Sequence, residues 1–249
     1  MALLAVAAGG QLFGCADPAG RAGFDAGPCT AAGDGGACTF GRPVLTCDVP
    51  NARDLGGVAV GPGGGTGVSC GQLFRGPPLA GLSARGCTET ARLGIRTVID
   101  LRTDDERLAR PDDACIGATF VNAPLPIPYD VSAANYIADF DATTSIARVF
   151  QTLADPSAYP VYFHCTYGRD RTGVVAAAVL LVLGASRDDI MREYGLSLAA
   201  VGAYPASLSA LLDEIERRGG IEASLQAAGV SGAHLAGIRT QLVPIPPSP

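Results

Sequence analysis

The stretch V-Y-F-H-C-T-Y-G-R-D-R-T-G, Val161 to Gly173, constrains this chain more than any other. Val161, Tyr162 and Phe163 are good strand formers that run into His164 and Cys165. A polar turn containing Gly168 follows, and the apolar run Val174 to Leu183 reads as a helix. Strand, loop and helix in that order put a cysteine at the end of a buried strand and Arg171 at a helix start, with five residues between them. A loop of that length can curl round a tetrahedral dianion and return an arginine fork to the opposite face. A much shorter loop cannot encircle it. The N–H groups of Thr166, Tyr167, Gly168, Arg169, Asp170 and Arg171 then converge on one oxyanion, with the positive end of the helix dipole behind them. Arg171 can hold two of its oxygens bidentately. The same field favours thiolate over thiol at Cys165, which readies it as a nucleophile.

Three more stretches stand in order upstream: N-A-R-D-L-G-G (Asn51 to Gly57), L-F-R-G (Leu73 to Gly76) and L-G-I-R-T-V-I-D-L-R-T (Leu93 to Thr103). With H-C-x-x-G-R-D-R-T-G they resemble the protein tyrosine phosphatase superfamily, and within it the atypical bacterial tyrosine and dual-specificity phosphatases. That group also has members acting on phosphoinositides. The resemblance runs from Pro50 to Leu242 and includes I-E-A-S-L-Q-A-A-G-V-S (Ile221 to Ser231). It implies a phosphoric monoester hydrolase working through a cysteinyl-phosphate on Cys165, with Arg171 and the loop from Thr166 to Thr172 binding phosphate and with no metal or other cofactor. Phosphotyrosine proteins are the implied substrates. Phosphoinositides or other inositol phosphates are the alternative, because Arg169 beside Arg171 could engage a second phosphate. An adaptor that binds phosphate without turnover is a reading of another class. The resembled group usually has lysine where Arg169 stands; this chain has no lysine anywhere, so arginine there follows its general composition.

Displacing an alkoxide or phenolate from phosphorus requires a proton for the leaving oxygen. Asp170 is the first choice as donor, since relatives carry an aspartate there; orienting Arg169 or Arg171 by a salt bridge is its other role. Asp100, at the end of the strand Thr97 to Leu101, is either a general acid or an anchor for an arginine, as parallel strands deliver residues to a site at their carboxyl ends. Asp130, Asp139 and Asp141 are further candidates, in a region that the resemblance makes a cover over the pocket and that helical spacing makes a plain core helix. The Thr172 hydroxyl can donate to the Cys165 sulfur, and His164 reads as a hydrogen-bond partner of the loop backbone. Arg53 and Asp54 are placed near the site by the resemblance, or form a structural ion pair.

The expected fold is α/β, a short and mostly parallel sheet flanked by helices, with an irregular N-terminal extension. Met1 to Cys15 is a short apolar stretch ending L-F-G-C, which is similar to a bacterial lipoprotein signal with Cys15 as the lipidated residue; an apolar leader is the alternative. A secreted or cell-envelope location follows from the first reading, with membrane attachment through Cys15. Residues 16–46 read as a tether or disulfide-pinned extension, 47–243 as the catalytic domain and 244–249 as a proline-rich tail. Setting Cys15 and Cys165 aside leaves Cys29, Cys38, Cys47, Cys70, Cys87 and Cys115, an even set that fits three disulfides in an exported chain. No Cys-x2-Cys pair and only two histidines, His164 and His234, argue against structural zinc. A net charge of −6 argues against a nucleic-acid partner, so basicity must be local. The loop Gly61 to Gly67 lacks Gly-Lys-Ser/Thr and reads as a hairpin connection between short strands.

Overall fold

The computed structural model describes residues 39–45, 47–125 and 131–244. In chain order come β1 (Arg53–Asp54), β2 (Ala59–Val60), β3 (Thr66–Gly67), β4 (Leu73–Gly76), α1 (Ala84–Leu93), β5 (Thr97–Asp100), α2 (Asp104–Ala109) and β6 (Thr119–Asn122). Then follow α3 (Ala133–Phe140), α4 (Thr143–Ala154), β7 (Val161–His164), α5 (Asp170–Val182), α6 (Arg187–Gly195), α7 (Ser197–Val201), α8 (Pro205–Arg217), α9 (Ile221–Ala227) and α10 (Gly232–Leu242).

The main sheet has the order β1-β4-β7-β5-β6, with β1 antiparallel to β4 and every other pair parallel. This is the α/β architecture that the strand and helix pattern predicts. β7 is central, so both its faces must be apolar, and Val161, Tyr162 and Phe163 are all fully buried. The strand period divides them between two cores. Leu73, Ile99, Val161 and Phe163 point to the larger one, beneath α5, and Phe74, Val98 and Tyr162 to a smaller one on the opposite face. α5 is apolar on all sides because it is packed on all sides, against α3, α6, α8 and α9.

Register places the site. Gly76 of β4 and Asp100 of β5 both pair with His164 of β7, so three strand ends lie level and Cys165 leaves the sheet between them. That carboxyl edge is where parallel sheets present their ligand-binding loops. Local chemistry fixes the flanking helices: Ser83 caps α1 by accepting from Gly86 N, and Ser186 caps α6 by accepting from Asp189 N. Gly61 to Gly65 forms the turn of the β2–β3 hairpin, and Thr66 and Gly67, expected in the connection, are β3 itself.

The packed domain begins before the expected start at residue 47. Val44 and Leu45 are buried in the smaller core, and Pro43 bridges to Arg53, because the β1 edge would otherwise expose its backbone. Cys87 and Cys115 form a disulfide that ties α1 to the approach to β6 across 28 residues. A cross-link closing a loop of that size is typically worth about 2–4 kcal/mol. Cys47 and Cys70 are disulfide-bonded as well. Cys15, Cys29, Cys38, Asp130 and the tail beyond residue 244 lie outside the described residues. Among the described residues no helix is long and apolar enough to cross a membrane.

Candidate active site

Cys165 is 2% exposed and is the free cysteine of the described residues. The loop after it is shaped from outside by polar side chains that hold its carbonyls. Asn51 donates through Nδ2 to the carbonyls of Tyr167 at 3.1 Å and Gly168 at 3.2 Å. Arg75 donates through Nη2 to Gly168 O at 2.8 Å. A trans peptide unit points its N–H away from its C=O. Pulling the Tyr167 and Gly168 carbonyls outward therefore turns the Gly168 and Arg169 amides toward the concave side of the loop, where an oxyanion would sit. Gly168 makes this possible: its φ is +64°, and a Cβ there would stand 2.2 Å from the Gly76 carbonyl carbon.

The N-A-R-D and L-F-R-G stretches thus have a local purpose. Asn51 is held by Arg53, whose Nη1 donates to Asn51 Oδ1 at 2.6 Å. Arg53 also donates to Glu193 Oε1 at 2.7 Å and to Ser197 Oγ at 3.2 Å. Asp54 does not pair with Arg53 but fixes the neighbouring turn, accepting from Gly56 N and Gly71 N at 2.8 Å each and from Arg42 at 2.6 Å.

Arg171 meets a partner that the sequence reading missed. Its Nη1 and Nη2 donate to Glu106 Oε2 and Oε1, both at 2.7 Å, and Thr166 Oγ1 donates to Glu106 Oε1 at 2.5 Å. Arg171 Nη2 also reaches Thr166 Oγ1 at 3.1 Å, closing the group. Glu106 is held in turn by the capping box of α2, in which Thr103 N donates to Glu106 Oε2 at 3.0 Å. The T-x-x-E spacing at Thr103 to Glu106 was the available signal.

Burial alone would raise the Glu106 pKa, but the bonds from Arg171, Thr166 and the Thr103 N–H override it and bring it down to about 2. A carboxyl depressed in the fold stabilises it above the unfolded pKa, near ~4.3, and loses that contribution as pH falls toward the folded value. The stability gap between wild type and Glu106→Gln in urea melts should stay constant from pH 7 to about 5 and narrow steadily below that. A gap independent of pH contradicts the ion pair.

A family model described as the tyrosine phosphatase family matches residues 46–244, which takes in the loop, Asn51, Arg53, Arg75 and Glu106. The chain belongs to the tyrosine phosphatase family. It is therefore a phosphoric monoester hydrolase of that family. It is similar to a provisionally named tyrosine-protein phosphatase of Cupriavidus necator, 30% identical over 77% of this chain and 81% of the relative. It is also similar to the triple specificity protein phosphatase PtpB of Mycobacterium tuberculosis, 28% identical over 66% of this chain and 72% of the relative. Among solved structures it is similar to P. aeruginosa TpbA, at a TM-score of 0.37 and 18% identity over 64% of this chain and 87% of that one.

Around the phosphatase loop, Asp170 opens α5 with a carboxylate already occupied on one oxygen. Its Oδ1 accepts from Tyr136 at 2.6 Å and from Arg169 Nε at 2.9 Å. The Tyr136 hydrogen is thus committed to Asp170, so the 2.6 Å contact between the Tyr136 and Tyr194 hydroxyls has Tyr194 as donor. Tyr194 then accepts from Tyr204 N at 3.0 Å. The chain of donors runs one way, from the Tyr204 amide to Asp170. Burial first, then the Asp170 charge, pushes the Tyr136 pKa far above the ordinary phenol value, so this hydroxyl stays a donor.

Arg169, expected to engage a second phosphate, has several partners within the protein. Its Nε binds Asp170, its Nη1 donates to Val201 O at 2.5 Å, and its guanidinium lies 4.5 Å from the Tyr204 ring centroid and 5.6 Å from that of Tyr167. Asp100 is bound to Arg102, accepting from its Nε at 2.9 Å and its Nη2 at 2.7 Å. His164 sits behind the loop with Nδ1 3.4 Å from Cys165 O and Nε2 3.4 Å from Asp112 Oδ2. Asp100, Asp112 and His164 bring three potential metal ligands together, but Arg102 Nη2 lies 2.7 and 2.8 Å from the two carboxylates as their internal cation. Asp141 is drawn to Arg218 at 2.5 Å on the surface, and Asp139 is buried in α3. The Thr172 hydroxyl is buried at the start of α5 without a hydrogen bond in this structure.

Proposed function

We propose that the phosphatase acts through a cysteinyl-phosphate on Cys165, with phosphotyrosine in proteins as its substrate. The observation that carries this reading is a buried free cysteine at the carboxyl edge of β7, followed by a loop whose carbonyls are drawn outward by Asn51 and Arg75. In the first step the Cys165 sulfur bonds to phosphorus as the P–O bond to the tyrosine breaks. The leaving phenolate takes a proton from Asp170. Because Oδ1 of Asp170 already accepts two hydrogen bonds, that proton resides on Oδ2. In the second step Asp170 takes a proton from water, the water oxygen bonds to phosphorus, the S–P bond breaks, and inorganic phosphate leaves.

Arg171, squared against Glu106 through Nη1 and Nη2, offers its remaining N–H groups to the equatorial oxygens as charge builds on them. Engagement of Arg169 by Asp170, Val201 and the tyrosine rings leaves the phosphoinositide alternative without its residue-level argument. Initial rates on a panel of phosphotyrosine peptides and phosphoinositide micelles test the substrate class. A kcat/KM at least about tenfold higher on the peptides is expected; the reverse order assigns the site to lipid headgroups.

A further inference from the structure

Two guanidinium groups stand behind the phosphate loop and face a single carboxylate. Glu193 lies 2.7 Å from Arg53 Nε through one oxygen and 2.7 Å from Arg75 Nη1 through the other, and none of the three side chains is more than 4% exposed. Arg171, on the other side of the loop, has a carboxylate to itself, Glu106. Burying two cations on one anion is unfavourable unless another negative charge comes near. Arg75 carries that stress: burial first, and then Arg53, brings its pKa down to about 10, while Glu193 and Cys165 act in the opposite direction.

Register explains why the charge lies where it does. Arg75, in β4 beside β7, pairs with Phe163 and directly precedes Gly76, which pairs with His164, the residue before Cys165. Its side chain shares the α5 face of the sheet with Leu73. At Gly173, in the first turn of α5, the missing Cβ makes room for the Tyr194 ring, which it would approach to 2.8 Å, while Arg75 Nη2 lies at an ordinary contact distance of 3.9 Å. From there one nitrogen holds Gly168 O and another holds Glu193.

We propose that Arg75 is a positioning residue for dephosphorylation, whose incompletely matched buried charge keeps Cys165 in its thiolate form while its bond to Gly168 keeps the loop amides facing the substrate. The inference rests on Cys165 being the nucleophile. It differs from a purely structural role because it ties the reactivity of a sulfur on one strand to a charge on the next.

The test is the rate at which iodoacetamide, an uncharged reagent, alkylates Cys165 at pH 6, with the site of labelling read by peptide mass. Arg75→Gln keeps a donor for Gly168 but loses the charge, and should slow alkylation about tenfold. Arg75→Lys keeps the charge and should stay within about threefold of wild type. A folded Arg75→Gln protein that alkylates as fast as wild type overturns the inference. Should that chain not fold, Glu193→Gln reads the same charge with the opposite sign in the pH dependence of alkylation: a midpoint moved to lower pH supports the inference, and an unmoved or higher midpoint overturns it. If Cys165 of the wild type does not react at all, the cysteinyl-phosphate reading itself fails, which is a separate outcome from equal rates in reactive variants.

Discussion

Cys165→Ser lowers kcat on p-nitrophenyl phosphate by about 10⁴-fold or more, since a serine hydroxyl is scarcely ionised where a thiol is and no neighbouring base is placed to activate it. His164, the residue before it, faces the Cys165 carbonyl with Nδ1 and the Asp112 carboxylate with Nε2. The fold should be untouched, because sulfur-to-oxygen exchange at this buried position leaves the loop tethers from Asn51 and Arg75 in place. Binding of a phosphopeptide should persist in the variant. That combination separates an enzyme from an adaptor: a wild type as inactive as Cys165→Ser, with both binding phosphopeptide, would assign the loop to recognition alone.

Arg171→Lys is the second large effect, a loss of about 10²–10³-fold in kcat/KM. A lysine at this position keeps a positive charge but cannot form the paired contact with both Glu106 oxygens, and an ammonium offers no planar fork to two phosphate oxygens. Glu106 would then keep only the hydroxyl of Thr166 and its bonds to Thr103 as fixed partners. Steady-state kinetics should show the loss mainly in kcat, with a smaller rise in KM, because the fork matters most when charge shifts on phosphorus. A change confined to KM would mean that Arg171 only holds the ground state.

The fold was legible wherever a periodic or punctuated stretch determined it. Val161 to Phe163 could only be a buried strand and Val174 to Val182 only a buried helix. The loop from Cys165 to Arg171 was legible as a turn for the same reason, since Gly168 and the five-residue spacing are properties of neighbours in sequence. What could not be read were the partners brought in from afar. Glu106 lies 65 residues before Arg171, and Glu193 lies 140 residues after Arg53 and 118 after Arg75. Charge in a sequence looks the same whether it faces solvent or a buried cation, so Thr103 to Arg110 reads as a solvated segment while one of its acids, Glu106, squares Arg171. Tyr136 was visible only as part of an apolar helix face, although its hydroxyl is what holds Asp170.

The most direct test of the account is to trap the covalent intermediate. Asp170→Asn protein mixed with p-nitrophenyl phosphate should still form the cysteinyl-phosphate, because p-nitrophenolate leaves without a donated proton, but should lack the base that activates water. Acid quenching and peptide mass spectrometry are then expected to find one phosphoryl group on the peptide carrying Cys165, and none in the Cys165→Ser double variant. Release of p-nitrophenol by Asp170→Asn with no phosphoryl group on Cys165 would contradict the account.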